Sequence, residues 1–152
     1  MNVRDVMTKT VSCCGPQDSL ETVALLMMDN DCGSIPVTNE LGQPIGMITD
    51  RDIAIAAAAR HKALWELNAE DFLTGRPVSR CVADDDILAA LNTMQRERVR
   101  RLAVVNGDGE IQGMLSLDDV IACAERGVRG LGAPELSYDD AVMAMKAICK
   151  HH

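Results

Sequence analysis

Aromatic residues are almost missing from this chain: one Trp, one Tyr and one Phe in 152 positions. That removes the stacking platforms on which single-stranded nucleic acids are held. Positive charge is short as well. Fifteen Lys and Arg stand against 23 Asp and Glu, a net charge of −8, whereas binding to a phosphate backbone rests on an excess of Lys and Arg. Nucleic acid is therefore not expected as a partner. No apolar run reaches the roughly 18 residues that a membrane span needs, and the opening MNVRDVMTKT lacks the apolar core of a secretion signal. The expectation is a soluble, cytoplasmic protein with no membrane partner.

Histidine is limited to His61, His151 and His152, and the six cysteines (Cys13, Cys14, Cys32, Cys81, Cys123 and Cys149) contain no Cys-x-x-Cys pair. No metal site is expected from that set. The cysteines read as small buried apolar residues or inert thiols of a reducing compartment. The adjacent Cys13 and Cys14 have no basic neighbour closer than Lys9 to favour a thiolate. Catalytic signatures are lacking too: there is no Gly-x-Ser-x-Gly elbow and no Cys/His pair with an orienting acid. The chain reads as a non-enzyme.

What is present is 47% apolar residues, enough to bury a core in one ordinary domain or two small modules. The order of elements is legible. Asn2 caps a short helix, and Thr8 to Cys14 is extended up to the break at Gly15-Pro16. Asp18 and Glu21 form a cap signature before the stripe Leu20, Val23, Ala24, Met27, Met28, one face of an amphipathic helix. Ile35 to Thr38 and Ile45 to Thr49 read as a hairpin around Asn39-Glu40-Leu41-Gly42, with Pro36 pointing to an edge strand. A helix from Asp50 to about Arg60 follows, and Trp65 and Leu67 are expected to pack against a neighbouring surface.

Then the pattern returns. Gly46-Met47-Ile48-Thr49-Asp50-Arg51-Asp52 recurs as Gly113-Met114-Leu115-Ser116-Leu117-Asp118-Asp119, an offset of 67 positions. The same offset carries Asp18 to Asp85, Met27 to Met94, Val37 to Val104 and Gly42 to Gly109 without a gap. Ala69 to Thr74 answers the first short helix, and Asp85 is expected to cap a helix with the stripe Ile87, Ala90, Leu91, Met94. Leu102 to Val105 and Ile111 to Leu115 repeat the hairpin, and Ser116 starts a helix to about Arg126. Internal duplication follows. Gly127 to Pro134 reads as a Gly-rich linker to a last helix capped by Ser137 and Asp140 and carrying Ala141, Met145 and Ile148.

The repeated stretch also carries the chemistry. A strand that breaks into Thr/Ser-x-x-Asp opens a capped helix, whose first turn is expected to leave N–H groups and a positive dipole end for a phosphate. Asp52 and Asp119, three residues past the hydroxyl, suit a ribose diol. Arg96, Arg98, Arg100 and Arg101 are dense for so acidic a chain. Arg101 falls where a guanidinium can pair with phosphate oxygens, while the matching Gly33 and Ser34 bring no charge, so the two sites are unequal.

Two βαββα-like repeats of this kind resemble a tandem pair of cystathionine β-synthase (CBS) domains, the Bateman module of small stand-alone bacterial proteins. The resemblance rests on Asp5-Val6-Met7-Thr8, Ile35-Pro36-Val37 and Gly46 to Ile53 in the first repeat, and on Val99-Arg100-Arg101-Leu102 and Gly113 to Asp119 in the second. It implies an α+β fold of two βαββα repeats, residues 1–66 and 67–127, related by a pseudo-two-fold axis, with a linker and C-terminal helix over 128–152. It implies a regulatory sensor that binds AMP, ADP or ATP, or else NAD or S-adenosylmethionine, in clefts between the repeats, with no required cofactor. Carried over by motif, Asp52 and Asp119 hold ribose hydroxyls and Thr49 and Ser116 contact phosphate, with Arg51 in the first motif. Thr10-Val11 and Arg76-Pro77-Val78 line adenine pockets with Ile35-Pro36 and Leu102, and Arg100 and Arg101 neutralise phosphate. Family members pair into homodimers, and the regulated protein is unnamed by sequence. The alternative is a stress-associated scaffold or redox-responsive protein with vestigial clefts. Ala103 in place of Pro36, and Leu117 in place of Asp50, depart from the first repeat.

Overall fold

The computed structural model describes residues 1–126 and 134–150. In chain order its elements are α1 (Val3–Val6), α2 (Leu20–Asp29), β1 (Ser34–Thr38), β2 (Pro44–Thr49), α3 (Asp50–Arg60), two 3-10 turns (Leu64–Glu66 and Ala69–Phe72), β3 (Arg80–Val82), α4 (Ile87–Glu97), β4 (Arg101–Val105), β5 (Ile111–Ser116), α5 (Leu117–Cys123) and α6 (Tyr138–Cys149). They fall into two compact units whose segments interleave along the sequence. One unit holds Ser12–Val78 with Gly109–Ile111; the other joins Met1–Val11 to Ser79–Asp108 and the described residues from Gln112 onward. Each unit thus takes its leading segment from the opposite repeat.

In the Ser12–Val78 unit, β1 and β2 pair antiparallel from Ser34↔Thr49 to Thr38↔Pro44, with a bulge after Val37. Asn39 builds the turn: its side-chain oxygen accepts from the N–H groups of Leu41 and Gln43, both at 3.0 Å, and Gly42 takes φ 72°. Pro36 has no N–H to offer a ladder, and on that side β1 meets a bridge from Cys14, whose N–H donates to the Pro36 carbonyl. Leu20, Val23 and Met27 of α2 pack with Ile35, Val37, Ile48, Ile53 and Ala56 in the core. Met28, expected on the buried stripe, is exposed, as is Trp65; Leu67 is buried as expected.

The other unit carries the sheet β3-β4-β5, with β3 parallel to β4 and Cys81 opposite Val104. Cys81 is the counterpart of Cys14 at the 67-residue offset. Its core gathers Ile87, Ala90, Leu91 and Met94 of α4, Leu102, Val104, Leu115, Leu117 and Val120. Val3 and Val6 of α1 enter this core, where each fully buried side chain contributes about 1.5–3 kcal/mol. Ala141, Ala144 and Ile148 of α6 seal it against α4 and α5, while Met145, expected inward, is exposed.

Both predicted caps sit one residue early. Asp18 and Asp85 turn back to accept from the N–H groups of Gly15 (2.7 Å) and Val82 (2.9 Å), closing the turn before each helix. The caps are Ser19, which accepts from the Thr22 N–H, and Asp86, which accepts from the Leu88 N–H. Helix α5 also stops three residues short of Arg126, because Glu125 leaves it to bridge Ser137, its N–H donating to the Leu136 carbonyl at 2.9 Å. Of the expected Gly-rich linker, residues 127–133 lie outside the described residues, as do His151 and His152.

Candidate functional site: two capped helix starts

The repeated motif folds alike in both units. The Thr49 hydroxyl donates to Asp52 Oδ2 at 2.7 Å and accepts from the Asp52 N–H, while the Thr49 N–H donates to the same Oδ2 at 2.8 Å. Ser116 and Asp119 reproduce this at 2.6 and 2.8 Å. Each acid therefore spends Oδ2 on the capping box. Asp52 Oδ1 has no hydrogen-bond partner among the described residues, and Asp119 Oδ1 accepts from the Thr8 hydroxyl at 3.4 Å.

The expectation of unpaired N–H groups at these helix starts is corrected. In α3 the N–H of Asp50 goes to the Gly33 carbonyl, that of Arg51 to Asp50 Oδ1 and that of Asp52 to Thr49 Oγ1. In α5 the N–H of Leu117 goes to the Arg100 carbonyl at 2.9 Å and that of Asp119 to Ser116 Oγ. At each start the residue just before the neighbouring strand takes one donor and the capping hydroxyl another, which among the described residues leaves the Asp118 N–H without a hydrogen bond, so most of the charge for a phosphate has to come from side chains. The units differ sharply there. Arg100 is exposed and Arg101 half-buried, and neither forms an ion pair among the described residues. In the other unit the matching Gly33 has an Asp50 carboxylate oxygen 3.2 Å from where its Cβ would stand, so an acid faces the position that Arg100 fills here.

The strands sort the remaining candidates by pleat. Ile35 and Leu102 point into their cores, while Pro36 in one unit and Arg101 in the other alternate to the opposite face. Thr10 and Val11 belong to the unit of Leu102, Ser116 and Asp119; Arg76, Pro77 and Val78 to that of Pro36, Thr49, Arg51 and Asp52. Thr10, Arg51, Arg76 and Pro77 are exposed, and Val11 and Val78 half-buried.

Thr8 was not a candidate on sequence. Its backbone pairs with Met114 in both directions, at 2.9 and 3.0 Å, which brings its hydroxyl to Asp119. No local signal announces this, since the contact spans 111 positions. The crossing also explains the motif's glycine. A Cβ on Gly113 would stand 2.7 Å from the Thr8 carbonyl oxygen, and one on Gly46 would meet Leu73.

Thiols add no reactive centre at these sites. Burial pushes the Cys14 thiol up to about 11 and that of Cys81 up to about 12, with Asp18 and Asp85 adding to each, and burial raises Cys13 as well. Cys32 and Cys149, expected buried or inert, are exposed. Among the described residues no three His, Cys, Asp or Glu side chains gather as a metal would require, and no helix is long and apolar enough to cross a membrane.

A two-unit α+β fold whose strands end in paired Thr/Ser-x-x-Asp helix starts defines a class. The family model described as CBS domain matches residues 3–59 and 69–126, and the chain belongs to that family. It is 28% identical over 146 residues to hypoxic response protein 1 of Mycobacterium tuberculosis, covering 96% of this chain and 92% of that one. It is 28% identical over 121 residues to an uncharacterised protein of Methanopyrus kandleri, covering 80% of this chain and 61% of that one. With homoserine O-acetyltransferase of Methanococcoides burtonii the identity is 31% over 119 residues, 78% of this chain but 23% of the enzyme. The chain thus spans less than two thirds of these last two relatives. Among solved structures, hypoxic response protein I with two coordinated zinc ions aligns at TM-score 0.72 and 26% identity, over 82% of this chain and 100% of that one. A CBS domain protein from Pyrobaculum aerophilum complexed with AMP aligns at TM-score 0.70 and 23% identity, over 83% and 93%.

Proposed function

We propose that this chain is a regulatory module without catalytic activity that binds an adenine nucleotide and transmits its occupancy to a protein partner. The observation that carries the reading is Arg100 and Arg101, two cations without ion pairs among the described residues, set beside the Ser116–Asp119 helix start in an otherwise acidic chain. In this reading Asp119 Oδ1 accepts from a ribose hydroxyl, and Thr8, Thr10 and Val11 flank the base. Arg100 and Arg101 take the phosphates through charge-assisted hydrogen bonds. The other site, with Pro36, Thr49, Arg51, Asp52, Arg76, Pro77 and Val78, lacks the paired arginines and faces the Asp50 carboxylate, so it favours adenosine compounds without phosphate, S-adenosylmethionine among them. The AMP-bound relative of the same fold supports an adenosine ligand in general. The repeats over 1–66 and 67–127 are units of duplication, and a homodimer in a reducing cytoplasm is the assembly in which occupancy is read out.

A second reading, a scaffold with vestigial sites, has one observation in its favour. Ser137 and Asp140 form the same box as Ser116 and Asp119, at 2.5 and 2.9 Å, in α6, beyond the residues matched by the family model. The box alone is thus a cap, and binding has to be tested where the arginines are. Calorimetric titration with AMP should weaken about 10- to 100-fold in R100A/R101A, the loss of one or two charged hydrogen bonds. An unchanged affinity would move the reading to the scaffold.

A further inference from the structure

Helix α6 buries Ala141, Ala144 and Ile148 yet carries a second apolar line. Tyr138 (53% exposed), Val142 (50%), Met145 (37%) and the exposed Cys149 recur at i, i+4, i+7 and i+11, within an arc of about 60° at 3.6 residues per turn. The line is symmetric about the point between Met143 and Ala144: Tyr138 and Cys149 are equidistant from it, and so are Val142 and Met145. A copy of the helix laid antiparallel across a two-fold axis therefore sets Tyr138 against the partner's Cys149, and Val142 against the partner's Met145. The charges obey the same axis. Asp139 flanks the line at the helix start, and Lys146 and Lys150 flank the same side at its end. The two-fold axis brings like flanks together, so the acid of one copy meets the bases of the other at both ends.

From this we infer that α6 pairs antiparallel with α6 of a second copy of this chain. The face lies outside both stretches matched by the CBS family model, so the pairing is particular to this tail. A parallel pairing, with its two-fold along the helices, would turn the Asp139 flank of one copy away from the Lys146 and Lys150 flank of the other and so forgo these charge contacts.

The native Cys149 provides the test. Along one helix, positions 138 and 149 lie about 16 Å apart, well beyond the roughly 7 Å that a disulfide spans, so any 138–149 link joins two chains. The full-length Y138C protein, oxidised mildly and mapped by peptide mass spectrometry, should yield a covalent dimer linked 138–149. Under reducing conditions, V142E/M145E in the otherwise native chain should weaken self-association measured by sedimentation about tenfold or more, since it buries carboxylates in the apolar line. If V142E/M145E does not fold, V142S/M145S replaces it. Links only of 149 to 149 or of 138 to 138, no link at all, or an unchanged association constant in the folded variant would each overturn the pairing.

Discussion

The carbonyl oxygen of Thr8 lies 2.7 Å from the place a side chain on Gly113 would take, although the two residues stand far apart in the sequence. The leading segment crosses β5 there, backbone to backbone, and has no room to yield. At the matching glycine, Gly46, the neighbour is the tip of Leu73, which can rotate away. Gly113→Ala should therefore cost about 1–3 kcal/mol, and Gly46→Ala distinctly less. Urea unfolding of both variants checks the order, and equal costs would show that the crossing over Gly113 is not rigid.

The three Ser/Thr-x-x-Asp boxes make a pH prediction at Asp140. The Ser137 hydroxyl and N–H hold the Asp140 carboxyl below its ordinary value. A carboxyl depressed in the folded state stabilises the fold above its unfolded pKa, and this contribution fades as pH falls through the folded one. Asp140→Asn should lower the melting temperature at pH 6, and the gap from wild type should close below about pH 4, where unperturbed carboxyls protonate. A gap of constant size down to pH 2 would mean that the carboxylate charge is not what the cap uses.

The cysteines should separate by reactivity. Cys32 and Cys149 are exposed, whereas Cys14 and Cys81 are buried with thiols raised to about 11 and about 12. In native protein near pH 7.5, iodoacetamide should label Cys32 quickly, and Cys14 and Cys81 only after unfolding. The raised thiols add a linkage with the opposite sign to that of Asp140. Their contribution is complete below the unfolded thiol pKa, near 8.5, and is lost as pH rises through about 11–12. Prompt labelling of Cys14 would contradict its burial.

Much of the fold could be read from periodicity. The 67-residue offset aligns α2 with α4, β1 with β4, β2 with β5 and the starts of α3 and α5, whereas β3 answers an isolated bridge at Cys14, and the stripes Leu20-Val23-Met27 and Ile87-Ala90-Leu91-Met94 are each buried. What escaped was non-local. Met28 and Met145 belong to their stripes by spacing, but both are exposed in the single chain, and a stripe does not reveal how wide its neighbour is. The caps were misplaced because Asp18 and Asp85 have two helix-like uses, and the turn before each helix claims them first. The exchange of leading segments leaves no periodic trace, so spacing does not bring Thr8 to Asp119. The site motifs were legible as caps, whereas the asymmetry between Arg100 and the Asp50 carboxylate at Gly33 became visible only in three dimensions.

The most direct test is a thermal-shift titration of the full chain with AMP, ATP, NAD and S-adenosylmethionine in three forms: wild type, D119A and D140A. Both variants remove the acid of one capping box, at about 1 kcal/mol each, so both should melt somewhat lower without ligand. A nucleotide at about 100 times its dissociation constant adds about 2.7 kcal/mol of stability. An adenine-nucleotide sensor should show that shift in wild type and in D140A and lose it in D119A. No shift with AMP, ATP or NAD, or a shift with one of these that survives in D119A as fully as in D140A, would contradict nucleotide binding at the Ser116–Asp119 site.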